Sequence, residues 1–246
     1  MNAEPSIQAK LLDLAAVDAE LTRIEHRRKV LPEAQEVARL EGERTARKDA
    51  AVKVEILIDD LDRDIRKLEG EIDAVRKRED RDRGMLTAGS VGAKQLSELQ
   101  HELTSLERRR KVLEDDQIDV MERREAAAAD HDHAGANLDQ AEADLVDAER
   151  RRDDALADLN VAQQRCDSDR SALAGGLPAD LLAAYDKQRA AAYGVGAALL
   201  QARRCGACRI ELDRGEISRI TQTAPNVVVR CPECNAILVR TKHSGL

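Results

Sequence analysis

From Leu96 to Leu173 one seven-residue register runs without a break. One column reads Leu96, Leu103, Arg110, Gln117, Arg124, His131, Leu138, Leu145, Arg152, Leu159, Cys166 and Leu173. Its partner column, Leu99, Leu106, Leu113, Val120, Ala127, Ala134, Ala141, Ala148, Ala155 and Ala162, is apolar at every position. Alternating steps of three and four place such residues in one stripe along a helix. A stripe sustained this long is covered only by another helix lying along it. The alanine half of the column requires that second helix to approach closely.

The N-terminal stretch supplies a candidate. Ile7, Leu14, Val17, Leu21, Ile24 and Leu31 lie on one seam, and Val54, Leu57, Leu61, Ile65, Leu68, Ile72 and Val75 resume it. The second series contains an extra four-residue step, a stutter that relaxes a supercoil locally. Pro32 predicts a kink or break. Acid–base pairs four residues apart (Glu25 and Lys29, Glu43 and Arg47, Asp62 and Arg66, Asp73 and Lys77, Glu107 and Lys111) are expected to decorate the outside. Between the two seams lies RGMLTAGSVGAKQ, whose Gly84, Gly89, Ser90 and Gly92 form the strongest breaker cluster before residue 170. Helical stretches of matched length joined by a short loop pack antiparallel. A monomeric hairpin is therefore expected over a dimer of parallel coiled coils.

Composition agrees with a core spread along helices. The chain of 246 residues has no Phe, no Trp and two Tyr, with 36% charged residues. A bulky globular core normally draws on large aromatics. The early charges of MNAEPSIQAKLLDLAAVDAEL do not suit a signal peptide, and no apolar run approaches the roughly 20 residues needed to cross a bilayer. A cytoplasmic protein that does not meet the membrane is expected.

Gly175 and Gly176 should end the second long helix. LPADLLAAYDKQRAAAYG then reads as a short docking helix with Pro178 at its start and Leu181, Leu182 and Tyr185 as its apolar face. GVGAALLQA follows as a strand. The expected division is a hairpin over residues 1–174 with its loop at about 84–93, a connecting helix at 175–194, and a final unit at 195–246.

That final unit holds Cys205-x-x-Cys208 and Cys231-x-x-Cys234. A Cys-x-x-Cys turn aims two sulfurs at one ion, and two such turns complete a tetrahedron. Thiolates in that array select zinc more often than other ions, with iron or an iron–sulfur cluster as the alternative. Redox dithiols would need a βαβ setting that is absent. NVVVR and AILVRT read as strands, so each cysteine turn caps a hairpin, the arrangement of a zinc ribbon. Four protein ligands leave no open position, so the metal is structural. About fifty residues bury too little apolar surface to fold reliably alone, and ligation supplies folding free energy of order 10 kcal/mol.

The charge is uneven. Residues 197–246 carry Arg203, Arg204, Arg209, Arg214, Arg219, Arg230, Arg240 and Lys242 against Glu211, Asp213, Glu216 and Glu233, a balance of +4. The rest of the chain holds −12 of the overall −8. These eight cations are the candidate contacts to nucleic acid or a protein partner, although part of their charge offsets a tetrathiolate site of −2. Cys166 falls in the heptad seam and reads as core. His131 and His133 in DHDH are neighbours that do not face together on a helix. Glu79, Asp80 and Asp82, mixed with arginines, read as a solvated face. A thin two-helix stalk offers no cleft for a small-molecule substrate, and no enzyme is expected.

GSVGAKQLSELQHEL, LPADLLAAYDKQR, CGAC and CPECNAIL together resemble the bacterial C4-type zinc-ribbon coiled-coil hairpin family. The resemblance implies a long antiparallel hairpin with the ribbon near the helix termini, and one zinc held by Cys205, Cys208, Cys231 and Cys234. It also implies contact with transcription components, such as a sigma factor or RNA polymerase, and RNA binding. The chain departs from the family pattern at Ala207, in IELDRG, and at Asn235, a residue that tolerates a left-handed backbone. The expected fold is thus mainly α, a long antiparallel coiled-coil hairpin followed by a small C-terminal β zinc ribbon. The expected function is a non-enzymatic adaptor, with a protein-binding scaffold free of nucleic acid as the alternative.

Overall fold

The computed structural model describes residues 1–89, 92–191 and 194–246. Four helices, α1 (Pro5–Lys29), α2 (Pro32–Thr87), α3 (Ala93–Gly175) and α4 (Ala179–Ala191), precede the strand β1 (Ala197–Gln201). Then come β2 (Arg204–Cys205), helix α5 (Arg214–Gln222), β3 (Val229–Arg230) and β4 (Ile237–Val239). The fold is a long helical hairpin followed by a small strand region. It divides into two compact units, residues 36–149 and residues 1–35 with 150–246.

In the central unit the α2 and α3 seams interlock. Ile72 and Val75 pack with Leu113, and Val37 and Leu40 with Ala148. The small Ala127 and Ala148 are buried, as close helix approach requires. The α2 register differs from the sequence expectation. Leu57 is 44% exposed, and the neighbouring Ile58 is half-buried. Val54, Ile58, Leu61, Ile65, Leu68, Ile72 and Val75 then alternate steps of four and three, so no stutter exists there. The seam continues through Glu79 and Asp82, both buried, which corrects the solvated face expected for them. Arg110 Nε reaches Glu79 Oε1 at 3.2 Å, and Arg124 Nε donates to Asp62 Oδ1 at 3.0 Å. Two polar members of the α3 column, Arg110 and Arg124, therefore meet acids on α2, a device that fixes register.

Only some of the expected four-residue pairs form. Lys29 pairs with Glu25 at 2.8 Å and Lys77 with Asp73 at 2.6 Å. Asp62 and Glu107 instead turn to Arg124 and Arg83 on the opposite helix, and Glu43 turns to Arg39. For Glu107, Arg83 across the seam offers a guanidinium fork that Lys111 one turn away does not.

Pro32 opens α2, where its missing N–H costs nothing, after a break at Val30 and a buried Leu31. Gly84 is helical, and the hairpin turn narrows to residues between Thr87 and Ala93, with Gly89 at φ +64°. Ser90 of the breaker cluster and Tyr193 of the docking stretch lie outside the described residues. The second long helix ends at Gly175, as its glycine pair predicts.

In the other unit α1 uses Gln8, Leu11, Leu14 and Asp18 as its buried face. Leu11 and Leu14 join Leu181, Tyr185, Ala197, Ile237 and Val239 in one core, which places α1 and α4 against the strands. The strands run in the order β2-β1-β4-β3, with β1 parallel to β4 and the other neighbours antiparallel. The N-terminus adds to this edge: Ala3 N–H donates to Asn226 O at 2.7 Å, and Val228 N–H to Met1 O at 3.1 Å.

Candidate metal centre

The two cysteine turns are built alike. In the first, Arg209 N–H donates to Cys205 O at 2.8 Å and Cys205 N–H to Ile210 O at 3.0 Å. In the second, Asn235 N–H donates to Cys231 O at 2.9 Å and Cys231 N–H to Ala236 O at 2.9 Å. Each turn closes on a left-handed residue, Arg209 at φ +65° and Asn235 at φ +62°. Asparagine adopts that region readily; arginine does so at a steric cost. Gly206 lies under the first turn, where a Cβ would come within 2.8 Å of Leu199 O.

The result is a cluster of four sulfurs lying within 4.8 Å of one another, the group of this kind found among the described residues. Cys205 Sγ is 3.8 Å from Cys234 Sγ, and Cys208 Sγ is 3.8 Å from Cys231 Sγ. Tetrahedral metal–sulfur bonds of about 2.3 Å give sulfur–sulfur edges of about 3.8 Å. A disulfide would bring two sulfurs to about 2.05 Å. The donor set therefore fits one tetrahedral, thiolate-loving ion and no protein oxidation state. Without a cation, burial pushes the Cys205 thiol up to about 12 against the opposing N–H groups of Cys208 and Ala207. Burial raises Cys231 as well. Burial also opposes ionisation of Cys208, but the Ile210 N–H and the neighbouring thiols outweigh it and leave that thiol below its usual value. A bound divalent cation overrides this effect of burial, because it deprotonates its thiols outright.

Two supports were not anticipated from sequence. Gln188 of α4, nearly fully buried, donates through Nε2 to Cys234 O at 2.8 Å and accepts from Asn235 Nδ2 at 2.9 Å. It ties the second cysteine turn to the helix. Three residues earlier on the same helix, Tyr185 Oη donates to Asp18 Oδ2 at 2.7 Å. Asp18, with no exposed surface, also accepts from Arg170 Nε at 2.8 Å and pairs with Arg189 at 3.2 Å. Arg170 bridges onward to Asp186 at 2.6 Å. The stretch YDKQR thus carries four residues that lock α4 to α1, α3 and the ribbon. Helix α5 was also missed, although Asp213 followed by Glu216 is a capping signature. Asp213 Oδ1 accepts from Glu216 N–H at 2.8 Å.

The eight candidate contact cations divide. Arg240 is occupied internally: its guanidinium donates to the carbonyls of Ile220, Thr223, Ala224, Pro225 and Val227, closing the C-terminus of α5 and the loop beyond it. Arg219 is bonded to Glu216, Arg204 to Glu211 at 2.9 Å, and Arg230 to Asn235 O at 3.2 Å. Arg203, Arg209, Arg214 and Lys242 are exposed and take no side-chain partner among the described residues. Arg203 sits with Ala202 in a two-residue turn at φ +63° and +45°, a pair of positions that ordinarily selects Asn-Gly. The C-terminal segment holds this turn, with Ala202 N–H on His243 O at 3.0 Å and Arg203 N–H on Ser244 O at 2.9 Å. His131 and His133 are exposed and form no ligand cluster among the described residues.

Residues 14–193 match the CT398-like coiled coil hairpin domain. The chain belongs to that family. Residues 204–238 match the C4-type zinc ribbon domain, so the protein joins a CT398-like hairpin to a ribbon that carries one structural zinc. An uncharacterized protein of Mycobacterium tuberculosis is 46% identical over 240 residues, covering 98% of both chains. A solved structure from Mycobacterium smegmatis is 48% identical, covers 98% of this chain and all of its own, and superposes with a TM-score of 0.87. CT398 from Chlamydia trachomatis, 18% identical over 95% of this chain and 97% of its own, shares the fold at a TM-score of 0.69. Both matched domains are coiled-coil and ribbon types. No helix of the described residues is long and apolar enough to cross a membrane.

Proposed function

We propose that this CT398-like protein is a non-enzymatic, monomeric cytoplasmic adaptor whose ribbon, held by one Zn²⁺ on Cys205, Cys208, Cys231 and Cys234, grips the phosphates of a nucleic acid. Its parts are a hairpin over residues 1–174, a connecting helix at 175–194 and the ribbon at 195–246. When bound, the metal crosslinks the two cysteine turns and stiffens the surface around them. The observation that carries this reading is the set of four exposed cations, Arg203, Arg209, Arg214 and Lys242, that make no side-chain hydrogen bond or ion pair among the described residues while the other four do. Two of them, Arg203 and Arg209, sit in the left-handed turns that shape the ribbon, so their side chains are displayed from braced backbone. With no Phe or Trp, and with Tyr185 fully buried, base stacking contributes little, so binding is phosphate-led and weakly selective. Family resemblance directs the adaptor to transcription, with a sigma factor or RNA polymerase as its protein partner.

Fluorescence anisotropy with a single-stranded RNA tests this. Four phosphate contacts give a slope of about −3 for log K against log salt. Charge reversal at Arg203 and Arg209 should abolish binding, whereas reversal of Arg219 should leave most of it. No binding at low salt removes the nucleic-acid reading and leaves a protein-only scaffold.

A further inference from the structure

The central unit carries a groove that the adaptor reading does not use. It measures about 550 Å³ and lies between α2 and α3, lined by Asp62 and Ile65 on one side and by Ile118, Met121, Glu122, Arg124, Glu125 and Ala128 on the other. Ile118, Met121, Glu125 and Ala128 follow one another at steps of three, four and three, so they form a single strip of α3. Ile118 and Met121 are 54% and 51% exposed, while one seam away Leu61 and Ala127 are sealed by the hairpin itself. The hairpin thus closes its seam and leaves a second apolar strip uncovered beside it.

The rim decides what fits. Arg124 is held by Asp62, which cancels both charges. Glu122 and Glu125 have no ion-pair partner among the described residues, so the groove presents two free carboxylates beside an apolar floor. A second copy of the chain suits it badly. An isologous pairing would set this patch against itself and bring Glu122 and Glu125 against their own counterparts. The occupant that matches is a helix with an apolar face flanked by lysine or arginine. We infer that this groove docks a basic amphipathic helix of a partner protein, with Ile118 and Met121 as the apolar contacts and Glu122 and Glu125 as its charge selectors. A methionine on the floor suits such a role, because an unbranched thioether repacks around different side chains.

The test uses the full-length, zinc-loaded chain and two labelled synthetic helices of about 18 residues, five turns. Both carry the same leucine face; one is flanked by lysine and the other by glutamate. Anisotropy should show the lysine peptide binding and the glutamate peptide not. The pair Ile118→Ser with Met121→Ser should weaken binding at least about tenfold, as loss of central apolar anchors does. Glu122→Lys with Glu125→Lys should do the same, while Asp49→Lys with Asp139→Lys, equal in charge but outside the groove, should change it little. Both substituted apolar residues are half-exposed, so circular dichroism should stay at the parent level. Equal losses in the two charge-reversed pairs would mean that binding follows net charge and would overturn the proposal. So would absence of lysine-peptide binding, equal binding of the glutamate peptide, or self-association of the chain that the serine pair abolishes.

Discussion

Replacing Asp18 by asparagine keeps the shape of a fully buried side chain and removes its charge. In the native fold that carboxylate accepts from the Tyr185 hydroxyl at 2.7 Å and from Arg170 at 2.8 Å, and it pairs with Arg189 at 3.2 Å. An asparagine offers one acceptor oxygen and turns an amino group toward groups that are themselves donors. Breaking a buried ion pair by removing one partner costs about 3–5 kcal/mol. The Arg170 and Arg189 side chains keep 25% and 31% exposure, so water recovers part of their solvation. The lower end, about 3 kcal/mol, is therefore expected. Tyr185→Phe removes one hydrogen bond to a charged acceptor and should cost about 1.5 kcal/mol. The double variant should cost less than the sum, because the two groups share a contact. The chain has no Trp, and Tyr185 belongs to the unit formed by the two ends of the chain, so its fluorescence in a Tyr193→Phe background follows that unit during urea unfolding. The exposed Asp13→Asn serves as reference and should stay within about 0.5 kcal/mol of the parent. A loss below about 1 kcal/mol for Asp18→Asn would mean that the cluster is not the lock described here.

Three further outcomes are expected. A Cβ at Gly196 would stand 2.5 Å from the Tyr185 ring, so Gly196→Ala should lower the urea midpoint of the same unit by an equivalent of about 1–3 kcal/mol. Gln188→Leu strips the second cysteine turn of two hydrogen bonds, and a chelator competition should read faster zinc release with the helical signal unchanged. Burial, then the nearby Asp18 carboxylate, raises the Tyr185 phenol well above its usual value. Its neutral form therefore stabilises the fold below a pH of about 10 and loses that contribution as pH rises further. In a Tyr193→Phe background the absorbance of phenolate should appear only together with alkaline unfolding; ionisation at the ordinary pH in folded protein would contradict the burial.

The long-range features were written in spacing. Seven-residue recurrence from Leu99 to Ala162 gave the hairpin, Pro32 and Gly175 its interruptions, and the paired cysteine turns the ribbon, because each rule acts within a few residues of sequence. These misreadings share a cause: an environment imposed by parts of the chain distant in sequence. Leu57 and Ile58 are equally apolar, and only the position of α3 decides which turns inward. Asp18 and Glu79 look like solvated acids on helices until Arg170, Arg189 and Arg110 come to them across the fold. Arg240 resembles its seven cationic neighbours in sequence, yet five carbonyls converge on it. Helix α5, by contrast, was legible in Asp213 and Glu216 ahead of Ile217 and Ile220.

X-ray absorption at the zinc edge on the purified full-length chain tests the metal centre most directly. One zinc per chain with four sulfur neighbours at about 2.3 Å is the predicted result, lost when Cys205 or Cys231 is replaced by serine. Nitrogen or oxygen neighbours, or a ribbon that stays ordered with no metal present, would contradict it.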